Sequence, residues 1–443
     1  MGSAREAAML TLAACERQGA WSDGYLKKIL REQKLDRREA ALAARLSYGV
    51  LQNRLLLDWH LAAFCKSPLR KLDIEVLCNL RVAVYQLLFL DKIPCSAAVN
   101  EAVALTKKHC RNPRAAGMVN GILRAILRQE KLPEPNYSDK VKNLSIRYSH
   151  PVWLVNVFVA ELGMDGAEAL LAADNEQPPT SAQVNTLRTS LVRLGAELQQ
   201  AGVTAQPHPW LAECLLLGGT GNLEQLPAFQ RGDFYIQDAA ARLAVSAAAV
   251  APGSRVLDCC AAPGGKSFAA AIDMKNQGEL TSCDIHPHKI ALMEAGRDRL
   301  GLSIITPQLQ NAAETRKEWI EGFDTVIVDV PCSGLGIIRK KPDIRYKEEA
   351  SLSGLPGIQQ RILSNCSQYV RWGGVLLYST CTLLRRENEG VVEAFLAAHP
   401  QFCLEPFDLP GIGPQPGWMT FWPHIHGTDG FFIAKLRRGE GSA

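Results

Sequence analysis

The stretch from Arg255 to Ser267, Arg-Val-Leu-Asp-Cys-Cys-Ala-Ala-Pro-Gly-Gly-Lys-Ser, limits the possible folds more than any other part of the chain. Val256 and Leu257 begin a short buried strand. Pro263, Gly264 and Gly265 form a turn that brings bare backbone close to a ligand before a helix starts near Phe268. Strand, glycine turn and helix in that order predict an α/β domain with a nucleotide-type ligand at the turn. Two common fingerprints fail. There is no Gly-x-Gly-x-x-Gly, and a Walker loop needs a glycine where Cys260 stands. A second predicted strand, Glu279 to Ile285, delivers Asp284 about 20 residues beyond the glycines, where a carboxylate can accept from both hydroxyls of a ribose. An adenosine-bearing ligand without a cradled pyrophosphate follows, and S-adenosylmethionine is the one that fits.

Two later strands carry chemistry. Asp324 to Val330 runs into Pro331-Cys332-Ser333-Gly334, and Gly374 to Thr380 runs into Cys381-Thr382. Each places a thiol at the carboxyl end of a buried strand, where open parallel sheets bind their ligands. As neighbours the strands would lie about 4.8 Å apart, and Cys332, Cys381 and Asp329 would face one crevice. A single buried cysteine is ordinarily inert packing; two at adjacent strand ends beside a carboxylate point to catalysis.

Composition sets the outer bounds. At 443 residues, 47% hydrophobic and 21% charged, the chain is an ordinary globular protein with room for two or three domains. Residues 1 to 150 carry 25 Lys+Arg against 14 Asp+Glu, net +11, which leaves net −7 for the rest. A basic front half suggests an anionic partner such as nucleic acid, although a solvated helical surface gives similar counts. Thirteen cysteines without Cys-x-x-Cys pairs argue for a reducing compartment, so a cytoplasmic protein is expected. Cys283, His286 and His288 cluster without an evident fourth ligand, and no metal is expected. No apolar run is long enough for a transmembrane helix, no membrane partner is expected, and a monomer is. Leu12-Ala13-Ala14-Cys15 imitates a lipoprotein cleavage box but sits in what reads as an amphipathic helix.

In chain order, residues 1–130 read as an all-α domain. Leu77, Leu80, Val84, Leu87 and Leu88 form one apolar stripe and Ile122, Leu123, Ile126 and Leu127 another. Lys27, Lys28, Arg31, Lys34, Arg37 and Arg38 crowd one end, and Lys107, Lys108, Arg111 and Arg114 form a second basic cluster. Residues 131–150, with two prolines, read as a linker. Residues 151–245 read as a small α+β module with strands near 181–187, 215–217 and 234–236, expected to bind RNA. Its Trp153, Trp210, Phe229, Phe234 and Tyr235 could stack on bases but are more often core. Residues 246–438 form the doubly wound domain, with strands near 255, 279, 304, 324 and 374 and a closing strand at 431–436. Between its fourth and fifth strands runs a basic loop containing Arg339, Lys340, Lys341 and Arg345. Such a run is usually a solvated face; its place just after Cys332 suggests a grip on phosphate.

The thiols and the carboxylate suit one reaction. C5 of cytosine is too electron-poor to attack a sulfonium methyl until a thiolate adds at C6 and turns C5 into an enamine carbon. A carboxyl group at N3 and N4 steadies the charge, a base then removes the C5 proton, and the thiol leaves. Access to the ring face requires a flipped or single-stranded base.

The motifs carry a family resemblance. The stretch Pro94-Cys95-Ser96-Ala97-Ala98-Val99-Asn100-Glu101-Ala102-Val103, with Met118-Val119-Asn120-Gly121-Ile122-Leu123-Arg124, resembles the NusB antitermination-factor family, an RNA-binding helical fold. Asp258 to Ser267, Asp329-Val330-Pro331-Cys332-Ser333-Gly334 and Ser379-Thr380-Cys381-Thr382 resemble motifs I, IV and VI of RNA (cytosine-5)-methyltransferases, and Asp429-Gly430-Phe431-Phe432 their closing strand. The whole chain is similar to the bacterial ribosomal-RNA small-subunit methyltransferase B family. The resemblance implies a NusB-like all-α front domain and a C-terminal Rossmann-like class I methyltransferase with a mostly parallel sheet, acting on a cytidine of 16S rRNA. It implies Cys381 as nucleophile, Cys332 as an aid to enzyme release, and Asp329 in both the catalytic and the cofactor set. The remaining cofactor contacts it implies are Cys260, Ala261, Ala262, Pro263, Gly264, Gly265, Lys266, Asp284 and a residue after the third strand. There the family has an aspartate and this chain has Asn311. Two alternatives stand beside this. One is an antitermination-like or assembly factor with a degenerate methyltransferase fold. The other, adenine amino methylation, wants Asp/Asn-Pro-Pro-aromatic where Asp329-Val330-Pro331-Cys332 stands.

Overall fold

The computed structural model describes residues 2–19, 21–110, 112 and 114–440. It divides into two compact units, Met1–Glu176 with Ile338–Glu348, and Gln177–Ile337 with Glu349–Ala443.

The first unit is helical. Its centre is the helix Ile74–Phe89, in which every residue from Val76 to Gln86 is buried. A stripe of leucines predicts one covered face; Val76, Cys78, Val82 and Ala83 add apolar cover on the others, and the helix is enclosed by its neighbours. Its polar residues are satisfied. Asn79 Nδ2 donates to Ala102 O at 2.7 Å, and Arg81 pairs with Asp58 at 2.7 Å and Glu16 at 2.8 Å. Of the second basic cluster, Arg111 lies outside the described residues. The expected linker is only partly irregular: Lys140–Tyr148 is a helix, capped by Asp139, whose carboxylate accepts from Lys142 N at 3.1 Å. It is followed by the helix Val152–Ala173, broken at Gly163, where φ is 71°.

The basic loop Ile338–Glu348 belongs to this helical unit, and that corrects the expectation for Arg345. Arg345 is 0% exposed. Its guanidinium donates to Gln52 O at 3.0 Å, Asn175 Oδ1 at 2.8 Å and Asp174 O at 3.3 Å. Tyr346 beside it donates to Leu51 O at 2.7 Å and lies 3.6 Å beneath the Arg54 guanidinium. With Nη1 and Nη2 committed to buried carbonyl oxygens and no surface exposed, Arg345 is a structural plug and does not reach a phosphate.

The second unit holds two sheets. The smaller contains β1 (Thr180–Val184), β2 (Thr204–Pro207), β3 (Cys214–Gly218) and β4 (Phe234–Ile236), antiparallel in the order β2-β3-β1-β4. Phe234 and Tyr235 are core residues. The larger is built from β5 (Arg255–Asp258), β6 (Glu279–Asp284), β7 (Ile305–Leu309), β8 (Phe323–Asp329) and β9 (Val370–Thr380), all parallel in the order β9-β8-β5-β6-β7. The short hairpin β11–β12 (Phe407–Leu409, Gly413–Gln415) follows β10 (Phe402–Leu404). Antiparallel β14 (Phe431–Arg438) pairs with β9, β10 and β13 (Trp418–Phe421). β5, β8 and β9 carry unbroken apolar runs, Val256–Leu257, Val326–Val328 and Val375–Tyr378, because helices such as Gly265–Asp273 and Leu355–Ser367 cover the sheet. The chain winds one way from β5 to β7 and the other way from β5 through β8 to β9. The crevice beyond the carboxyl ends of β5 and β8 is therefore the switch point at which such sheets bind ligands.

Candidate active site

β8 and β9 pair in parallel with Asp329 opposite Ser379. The adjacency continues past the strands: Ser379 Oγ donates to Asp329 Oδ1 at 2.7 Å, and Cys332 Sγ lies 3.3 Å from Cys381 Sγ. One residue further, the Ser333 and Thr382 hydroxyls are 2.6 Å apart. Gly336 N then donates to Cys381 O at 2.9 Å. The crossing behind the thiols is so tight that a Cβ on Gly336 would stand 1.9 Å from Gly430 O.

The glycine turn meets this constellation through Lys266. Lys266 is buried, its Nζ is 2.7 Å from Asp329 Oδ2, and it sits 4.9 Å from the centroid of the Phe431 ring. Both oxygens of Asp329 are thereby held, one by a hydroxyl and one by an ammonium. Below the turn, buried Asp258 accepts from Ser267 Oγ at 2.7 Å, and Ser267 accepts from Ser282 Oγ at 2.8 Å, which ties β5, the following helix and β6 together. Burial pushes the Asp258 carboxyl up to about 7, with the Ser267 hydrogen bond pulling the other way.

Gly264 takes φ of 111°, a conformation reserved for glycine, and a Cβ there would meet the Phe268 ring at 2.5 Å. The helix Gly265–Asp273 has no side-chain cap, so its first-turn amides present an anion site at the turn. Cys260, Ala261, Ala262 and Pro263 complete the turn, anchored by Ala261 N donating to Cys283 O at 2.8 Å. Asp284 ends β6 with its oxygens accepting from His286 N at 3.0 Å and Lys289 Nζ at 3.4 Å. Each carboxylate oxygen keeps a second acceptor direction for a ribose hydroxyl. This donor and acceptor set fits S-adenosylmethionine: amides for its carboxylate, a carboxylate for its ribose, and no cradle for a pyrophosphate. Asn311 lies beyond β7 and is exposed. Its Oδ1 accepts from Ala313 N at 3.0 Å and its Nδ2 donates to Glu314 at 2.9 Å, so the amide shapes its own loop.

The hydrogen bond with Cys381, followed by burial, pushes the Cys332 thiol well up; burial does the same to Cys260. His286 and His288 rings lie 5.6 Å apart, and among the described residues no group of three or more His, Cys, Asp or Glu could hold a metal ion. Two residues outside the expected set belong to the site. Glu387, fully buried, accepts from Ser333 N at 2.9 Å, and Asn388 accepts from Thr380 Oγ1 at 2.6 Å. The only sequence signal for them is a polar Glu387-Asn388-Glu389 run a few residues past Cys381.

Residues 246–437 match the family 16S rRNA methyltransferase RsmB/F, residues 2–128 the NusB family, and residues 150–224 a RsmF/B-like ferredoxin-like domain. A probable ribosomal RNA small subunit methyltransferase B of Bacillus subtilis is 36% identical over 446 residues, 98% of this chain and 99% of that protein. Its namesake from Synechocystis is 33% identical over 99% of this chain and 100% of that one. The crystal structure of PH0851 superposes with a TM-score of 0.82 at 27% identity, covering 98% of both chains. With identity and architecture matched from end to end, the chain belongs to the 16S rRNA methyltransferase RsmB/F family, and its cofactor is S-adenosylmethionine.

Proposed function

We propose that the protein methylates C5 of a cytosine in small-subunit ribosomal RNA through a transient bond between Cys381 Sγ and C6 of the ring. Bound S-adenosylmethionine supplies an electrophilic methyl group; Gly264, Gly265, Lys266 and Asp284 would hold it. Addition of the Cys381 thiolate at C6 moves the electrons of the 5,6 double bond onto C5. Asp329, fixed by Ser379 and Lys266, faces N3 and N4: a proton on its carboxyl group is shared with N3 and neutralises the negative charge that addition leaves there, while the N4 amino group donates to the same carboxyl. Once C5 carries the methyl group, a base takes the C5 proton, a task for which Cys332 stands beside Cys381; the C5–H electron pair restores the 5,6 double bond and the Cys381 sulfur leaves C6 as a thiolate. The observation that carries this is the 3.3 Å approach of the two sulfur atoms on the same strand ends as Asp329. A binding factor with a degenerate methyltransferase fold has no need to keep both thiols and the Lys266–Asp329 pair.

The test is a pair of variants assayed on 16S rRNA, with bisulfite sequencing of the product. Cys381→Ala abolishes methylation, a loss on the order of 10³-fold or more, while S-adenosylmethionine still binds by calorimetry. Cys332→Ala accumulates a protein–RNA adduct on denaturing gels. An adduct in Cys381→Ala would reverse the two roles.

A further inference from the structure

Both thiols lie past the last rung of the β8–β9 ladder, in segments without regular structure, yet their sulfur atoms are in contact. Two consecutive buried side chains account for this. Glu387 Oε2 accepts from Ser333 N at 2.9 Å and from Gln359 Nε2 at 2.8 Å, and the same Gln359 nitrogen donates to Pro331 O at 3.0 Å. The residues on either side of Cys332 are thus pinned by one carboxylate–amide unit. Asn388 does the same for Cys381: its Oδ1 accepts from Thr380 Oγ1 at 2.6 Å and its Nδ2 donates to Thr382 O at 3.0 Å. The turn bearing both is fastened to β9 by Tyr378, whose hydroxyl donates to Glu387 O at 2.6 Å.

Glu387 is 0% exposed, and its Oε1 has no hydrogen-bond partner among the described residues. Burying a carboxylate on neutral donors, with one oxygen unserved, is a poor way to gain stability and is retained where geometry matters more. We infer that Glu387 and Asn388 are positioning residues with divided duties, Glu387 holding Cys332 for release and Asn388 holding Cys381 for attack. This rests on the two-thiol reaction proposed above.

The experiment follows methyl transfer and covalent complex in single turnovers of the full chain with 16S rRNA, alongside Cys332→Ala. Asn388→Ala slows formation of the complex by about 10- to 100-fold, the scale of a misplacement near 1 Å, with S-adenosylmethionine affinity within about twofold of wild type. Glu387→Asp, which withdraws the carboxylate from Ser333 N, leaves formation intact and slows release at least about tenfold, so complex accumulates as in Cys332→Ala. Glu387→Gln keeps an oxygen for Ser333 N and restores release. Variants that lower the melting temperature while formation and release stay in the wild-type ratio would overturn the inference. Absence of any complex in Cys332→Ala would instead sink the two-thiol reaction itself.

Discussion

Asp258 shows how one buried carboxyl sets a pH dependence. It sits beneath the glycine turn on Ser267, and burial raises it to about 7 from an ordinary value of 3.8. The folded chain therefore keeps its proton where the unfolded chain has lost it. Stability from this group is fully present below pH 4 and is lost as pH rises through 7. Asp258→Asn removes that dependence. Wild type should lose on the order of 2–4 kcal/mol relative to the variant between pH 4 and pH 8, measured by urea denaturation of both; parallel curves would rule it out. At this scale the sequence speaks unevenly. Cys332, Cys381 and Asp329 announce themselves because each ends an apolar run. Glu387 and Asn388 do not: Glu387 meets Ser333 N and Gln359 from segments remote in sequence, and Asn388 folds back on Thr380 and Thr382 at a turn, neither of which any periodicity encodes. Arg345 displays its charge but not the carbonyls of Gln52 and Asp174 that converge on it.

Among elements, β5, β8 and β9 are the most legible, since strands buried on both faces carry unbroken apolar runs; β6, Glu-Leu-Thr-Ser-Cys-Asp, is marked instead by the spacing of Asp284 from the glycine turn. β2 is not legible, because Gln206 and Pro207 give an edge strand no alternation to detect. The helix Lys140–Tyr148 was obscured by the prolines before it and is set by a single cap, Asp139. The close passage of Gly336 against Gly430 could not be read from either glycine alone, since it exists only where the turn after Cys332 crosses the entry to β14. Gly336→Ala forces those backbones apart. It should cost about 1–3 kcal/mol and most of the activity, because Gly336 N also holds Cys381 O. A melting temperature and turnover equal to wild type would show that the crossing yields freely.

For the molecule as a whole, the division of charge, net +11 in residues 1 to 150 against net −7 elsewhere, makes the basic front half, with Arg339, Lys340 and Lys341 of the inserted loop, the surface on which to test RNA contact. Neutralising these three together as glutamines should lower the slope of log affinity against log salt by about 0.7 for each phosphate no longer neutralised. Arg345→Gln should leave the slope unchanged and destabilise the helical unit, because its carbonyl partners are left without their donor. Filter binding across a potassium chloride series separates the two; an equal slope change in both would restore Arg345 to the RNA-contacting set.

The loop that leaves after Ile337 and returns at Glu349 also governs how such a chain can be exchanged with its relatives. A single crossover near residue 176 would give a foreign front half an Ile344–Arg345–Tyr346 graft it was never shaped to receive. An exchanged front half therefore has to be carried in two pieces, the first 176 residues and the loop just downstream of Cys332, and a chimera that swaps only the first is expected to lose the Arg345 and Tyr346 contacts.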